Sequence, residues 1–299
     1  MKRLTFIALI ILGFCEIKGQ QIHQLTTYML NDFAYNPAIA GTSTDLQTQV
    51  GYRKQWTGMP GAPTTLLLST HTNVLDTKKV GLGGIIYTDI TGPTRRTGFQ
   101  LAYAYHLLLD EEKQTSLSLG LGGTLTGTRI DYSVLNPENE NDPNLLSQTQ
   151  GTLTADANFG AYLYNQQYFL GLSTAQLFES KVKMANNIDD ISINRHYFIA
   201  AGYRFDTRSD FSIEPSAMAK FVKGIPAHMD LNARLYYDHQ YWLGVSYRTY
   251  DAIALMLGLK LNNGFNAAYA YDITTSGLNK VSSGTHEVTI GYKWNYRKN

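Results

Sequence analysis

Seven histidines (His23, His71, His106, His196, His228, His239 and His286), one cysteine (Cys15) and two glycine-rich runs are where chemistry would first be sought in this 299-residue chain. Zinc needs imidazoles that gather, but these are dispersed, and His286-Glu287 lacks the second histidine of a zinc-protease helix. Gly81-Leu82-Gly83-Gly84 and Gly120-Leu121-Gly122-Gly123 look like phosphate loops, yet neither runs on into Gly-Lys-Ser/Thr or into a helix. There is no Gly-x-Ser-x-Gly elbow for a serine nucleophile. Glu138, Glu140 and Asp142 in the stretch Asn136 to Asn144 lack the spacing and glycine of an EF-hand loop. Cys15 alone supports neither a disulfide nor a thiolate metal site. These residues predict no enzyme, no metal centre and no cofactor.

Composition points elsewhere. Charged residues are 16% of the chain, against about 25% in an ordinary soluble domain, while 21 Tyr, 12 Phe, 3 Trp and 26 Gly make it aromatic and glycine-rich. With 25 basic and 24 acidic residues, the balance excludes a basic nucleic-acid binder and an acidic tail. Lys2 and Arg3 precede an uncharged run from Leu4 to Cys15, followed by the small residue Gly19, which is the layout of a secretory signal peptide. The run is too short for a membrane helix, which needs about twenty residues. Cleavage is expected near Gln20, and loss of residues 1–19 leaves 22 basic and 23 acidic residues.

No later apolar stretch reaches helical membrane length, so the exported chain is periplasmic, released, or spans a membrane as strands. Period-two alternation selects strands. Leu117, Leu119, Leu121 and Leu125 share one parity, and Ser116, Ser118, Gly120, Gly122 and Thr124 the other. The pattern recurs at Met229, Leu231, Ala233 and Leu235 against Asp230, Asn232 and Arg234, and at Val288, Ile290, Tyr292 and Trp294 against Glu287, Thr289, Gly291 and Lys293. About fourteen such segments follow one another, near 44–56, 64–72, 80–89, 96–109, 115–130, 152–164, 168–178, 195–205, 211–222, 228–237, 241–249, 252–261, 264–272 and 283–294. Many have the nine to eleven residues of a tilted membrane strand.

Short polar joins (Asp110 to Gln114, Asn165 to Gln167, Asp206 to Asp210, Asp238 to Gln240, Asn262-Asn263) alternate with pieces that are mostly longer or rich in glycine and proline. Those are Thr57 to Pro63, Ile90 to Arg95, Asp131 to Gly151, Glu179 to Asn194, Lys223 to Ala227 and Ile273 to Ser282; the longer Asn73 to Lys79 and the short join near Tyr250-Asp251 break the alternation, which is a tendency. Outer-membrane barrels have this layout, with short turns and both termini in the periplasm. The fold expected is all-β, a transmembrane antiparallel β-barrel of about 14 strands over residues 44–299. Rings flanking the short turns (Tyr164, Phe169, Phe205, Phe211, Tyr236, Tyr237, Tyr241, Trp242 and Trp294) are assigned to the membrane–water boundary. A soluble sandwich would place Lys, Glu and Asp where this chain has Gly, Ala, Ser and Thr.

The inward parity carries Arg53, Glu214, Lys220, Asp230, Arg234, Arg248, Lys260, Asp272, Glu287 and Lys293. Mixed signs suit a pore lining, a seat for an internal plug, or a self-neutralising network. Residues 20–43 fit no strand, and contain an Asn36-Pro37 turn signal and Gly41. They read either as a plug-like segment entering the barrel or as a loose periplasmic leader.

Tyr28, Asn31, Tyr35, Asn36-Pro37-Ala38 and Ala40-Gly41, then Tyr52-Arg53-Lys54-Gln55-Trp56 with Gly61-Ala62-Pro63-Thr64, resemble the N-terminal signature of the PorP/SprF family. Gly284-Thr285-His286-Glu287 extends the likeness to the last strand. The resemblance implies an outer-membrane protein of Bacteroidetes-type bacteria, working with type IX secretion components and, in some members, in gliding motility. It also implies a secreted adhesin, held or exported through its C-terminal domain, as partner. Outer-membrane lipid is the expected surrounding, and no nucleic acid is expected. The chain's ending, Trp294-Asn295-Tyr296-Arg297-Lys298-Asn299, departs from the aromatic terminus common in barrels. The competing expectation is a channel for hydrophobic compounds resembling the FadL type, which also combines about fourteen strands with an N-terminal plug.

Overall fold

In the computed structural model, the residues described are 22–74, 78–132, 150–182, 191–207 and 209–295. The expected signal peptide and the loop residues 133–149 and 183–190 lie outside them, as does the acidic stretch Asn136 to Asn144. Fourteen long strands follow in order: β1 Leu46–Lys54, β2 Thr64–Asn73, β3 Val80–Thr91, β4 Thr94–Asp110, β5 Thr115–Ile130, β6 Gln150–Tyr164, β7 Tyr168–Ala175, β8 His196–Tyr203, β9 Phe211–Val222, β10 Ile225–Tyr237, β11 Tyr241–Arg248, β12 Ala252–Lys260, β13 Phe265–Thr274 and β14 Thr285–Trp294. Each pairs antiparallel with its neighbours in sequence. β1 meets β14 from Leu46 opposite Trp294 to Lys54 opposite His286, which closes the sheet into a barrel with no free edge.

The alternation that forms the strands also sorts their faces. Leu101, Leu121 and Leu243 point outward, about 60% exposed (60%, 59% and 64%). Asp230, Asp272, Glu287 and Arg53 on the opposite parity are at most 1% exposed. Lipid solvates the first set. A Lys or Arg turned outward at mid-membrane would cost about 2–4 kcal/mol.

Two of the glycine-bearing joins are shorter than their neighbours on the same side. Ile90 to Arg95 and Lys223 to Ala227 are not open loops but two-residue turns: Thr91 pairs with Thr94 and Val222 with Ile225. Gly92 (φ 53°) and Gly224 (φ 79°) adopt the left-handed backbone that lets a hairpin close in two residues. The rings beside the short turns also divide. Phe205, Phe211, Tyr237, Tyr241 and Trp294 face outward, whereas Tyr236 and Trp242 point into the barrel and are buried. Adjacent residues of a strand take opposite faces, so both members of an aromatic pair cannot lie in one membrane belt.

Candidate functional site

The lumen is not lined by charge alone; residues 22–43 lie within it. The segment makes three single-turn 3-10 helices, Tyr28–Leu30, Asp32–Ala34 and Pro37–Ile39. The last is started by Asn36, whose side chain accepts from the Ala38 N–H (2.9 Å), with Pro37 at the first helical position. Leu25, Tyr28, Phe33, Tyr35, Ala38 and Ile39 form one buried cluster with inward residues of the wall such as Leu67, Tyr162, Phe198 and Met218.

The residues of the N-terminal motif are the ones that tie the segment to the wall. The Asn232 amide donates to Tyr28 Oη (2.7 Å), and Ser69 donates to Asn31 Oδ1 (2.8 Å). The Tyr35 carbonyl accepts from Ser173 (2.8 Å), while its hydroxyl takes the Leu25 N–H (2.9 Å) and donates to the His23 carbonyl (3.2 Å). The Asn36 amide donates to the Ala161 carbonyl (3.1 Å). Gly41, at φ 78°, donates to His71 Nδ1 (3.2 Å) and lies against Gly81, where a side chain on either would collide with backbone. His106 donates to the Ala40 carbonyl (2.8 Å). Sequence reasoning gave these two histidines no role; in the closed barrel they hold the segment's backbone at Ala40 and Gly41.

The path of the segment has a direction. Ala40 and Gly41 sit at the short-turn end, beside the start of β3 and the last part of β4. Thr26 and Thr27 sit near the other end, where their N–H groups donate to Glu287 (2.7 and 2.8 Å). The His23 ring is 4.9 Å from that of Tyr87, and both line an outer cavity of about 310 Å³ with Gln55, Trp56 and Pro63. The chain thus runs the length of the lumen from the long-loop mouth at Ile22 to the short-turn mouth at Ser43.

Most of the inward charges gather where Thr26 arrives. Arg53 binds Asp272 and Glu287, each at 2.9 Å. Arg248 binds Asp230 (3.3 Å), Asp272 (3.2 Å) and Asp251 (2.9 Å), and Lys220 binds Asp230 (2.7 Å). Thr26 Oγ1 donates to Asp272 and accepts from Arg53 and Arg248. Burial of such ions is tolerated when each is paired, and every ion of this cluster has a partner of opposite sign. This network therefore neutralises the interior and holds the segment at once. Glu214 and Arg234 form a separate pair nearer the short turns. Lys260 lies exposed at that mouth.

The first-hairpin motif covers the outer mouth. The Gln55 N–H donates to the Pro63 carbonyl (2.9 Å) and the Gly92 N–H to the Gly61 carbonyl (2.8 Å). Trp56 takes φ 44°, a conformation strained for a bulky residue, fixed by its N–H to Thr285 Oγ1 (3.1 Å). Among the described residues, no group of three His, Cys, Asp or Glu is placed to hold a metal ion.

The model of the type IX secretion system membrane proteins PorP/SprF matches residues 17–292, nearly the whole chain. The chain belongs to the PorP/SprF family. No curated protein matches it. Among solved structures, this PorP/SprF chain is similar to the CymD monoaromatic hydrocarbon channel, with a TM-score of 0.54, 11% identity and coverage of 93% of this chain and 95% of that one. It is also similar to a Pseudomonas aeruginosa FadL homologue, with a TM-score of 0.50, 11% identity and coverage of 87% and 93%. At such identities the likeness is one of fold, an outer-membrane barrel. Membership of a secretion membrane-protein family and this fold together place the PorP/SprF chain in the outer membrane.

Proposed function

We propose that this barrel is a non-enzymatic attachment or export partner for a secreted surface adhesin, whose C-terminal domain it grips at the long-loop mouth, while its periplasmic side works with other type IX secretion components. Residues 22–43 act as a plug. The observation that carries this reading is the buried segment, tied end to end by motif side chains and by the network around Arg53. A lumen filled in this way leaves the mouths, not a through-path, as the working surfaces. The stapled 55–63 loop and the outer cavity give the partner a rigid face on that side.

The test is a pull-down of the tagged protein in mild detergent from its native membrane, with identification of what co-purifies. A large secreted protein is expected, and it should be lost when the long loops are shortened. Recovery of the barrel alone would overturn the attachment role. The second reading, a channel for hydrophobic compounds, is favoured only by the likeness of fold to such channels. Its inward face mixes charges and small polar groups, which is a poor surface for apolar cargo, and liposome uptake of a hydrophobic ligand would be its sign.

A further inference from the structure

At the short-turn end, two cavities of about 540 and 330 Å³ share Thr42, Gln47, Arg204, Glu214 and Lys293 and so form one vestibule. Short turns face the periplasm in outer-membrane barrels, so the vestibule opens there. Its cations are held unusually firmly. The Arg234 guanidinium pairs with Glu214 and lies 5.5 Å from the Tyr236 ring and 5.6 Å from that of Trp242. Arg204 lies 5.2 Å from the same Tyr236 ring, bonds to Asp206 (2.9 Å) and contacts His239 Nδ1 (2.6 Å). Cation–π stacking of this kind fixes a guanidinium that would otherwise be mobile.

The acids near Lys260 and Lys293, Asp32 and Asp45, form no ion pair with them. Glu214 is committed to Arg234 and Asp206 to Arg204, which leaves Asp32 on the roof as the lining acid free to face Lys260 and Lys293. Neither lysine forms an ion pair among the described residues. The volume is that of a ligand pocket. It joins cations to two aromatic rings and the amides of Gln47 and Gln49, which suits a peptide with carboxylates better than a lone inorganic ion.

We propose that this vestibule seats an acidic polypeptide segment entering from the periplasm, its carboxylates meeting Lys260 and Lys293. The inference rests on the outer-membrane orientation and not on the adhesin reading, so either can fail alone. The test uses the full-length protein purified in an uncharged detergent, with a fluorescein-labelled octaglutamate peptide followed by anisotropy at low salt. Saturable binding is expected, weakening with added salt. The Lys260→Gln/Lys293→Gln double variant should bind about tenfold less tightly, as expected for loss of one exposed and one half-buried charge pair, with heat-dependent gel mobility unchanged. No binding, binding unaltered in the double variant, or inorganic phosphate displacing the peptide at equal concentration would each overturn the proposal.

Discussion

Arg53 shows how one side chain serves both wall and lumen. It is 1% exposed, neutralises two carboxylates, and reaches Thr26 of the segment. Replacement by Met keeps most of the volume but strands Asp272 and Glu287, so Arg53→Met should destabilise the barrel by about 3–5 kcal/mol, measured as a fall in the urea midpoint of unfolding. Asp32 gives a pH signature. Burial pushes its carboxyl up to about 6, against the nearby cations Lys293 and Arg234. A carboxyl raised in the fold stabilises it fully below the ordinary value near 3.8 and ceases to do so as pH rises through about 6. Asp32→Asn should therefore leave stability near pH 4 unchanged and raise it at pH 7.5 by about 1 kcal/mol, discounted for the solvent in the vestibule. His23 works in the opposite sense: burial lowers it to about 4, so its contribution is present above about 6.5 and lost as pH falls through about 4. Comparing the variant with its parent at each pH isolates Asp32.

At the scale of elements, the N-terminal segment and the inward glycines of the wall are made for each other. A Cβ on Gly120 would meet the backbone of Pro37 and Ala38, one on Gly160 the side chain of Asn36, and one on Gly83 the ring of Phe33. None of these glycines needs a left-handed backbone; each is small because the segment passes close by. Gly120→Val should leave the outward face of β5 and its insertion intact while forcing the 3-10 helix Pro37–Ile39 away from the wall. The expected result is a rise in single-channel conductance in planar bilayers, from near closed in the parent; an unchanged trace would mean that the segment does not occlude the lumen. The glycine runs that look like phosphate loops in isolation thus gain a steric explanation. Alternation could show which face they occupy, but not that a segment of the same chain fills the space.

For the whole molecule, orientation follows from connection length and can be checked directly. Cys15 is the only cysteine and falls in the expected signal peptide, so a single introduced cysteine is expected to report without background. Lys223→Cys, in the two-residue turn on the long-loop side, should react with a membrane-impermeant maleimide on intact cells. Asn263→Cys, between β12 and β13, should react only after the outer membrane is opened. The reverse result would invert the barrel and move the proposed periplasmic vestibule to the cell surface. Strand count and order were legible in the sequence to within a few residues. The tight turns at Gly92 and Gly224 were less so, because glycine and proline signal a reversal without stating how many residues it takes.

What the sequence determined by itself was every property fixed by near neighbours along the chain. Period-two alternation sorted apolar from polar faces, and connection lengths assigned the two ends, because lipid outside and a polar interior act on each strand independently. The tertiary structure decided which inward groups meet. Arg53 and Glu287 are 234 residues apart and become partners only because β1 closes on β14. Pairing of β8, β9 and β10 gathers Arg204, His239 and Arg234 about one mouth, and the path of residues 22–43 gives His71 and His106 a backbone to hold. Parity says that a side chain points inward; register around the closed sheet says what it finds there.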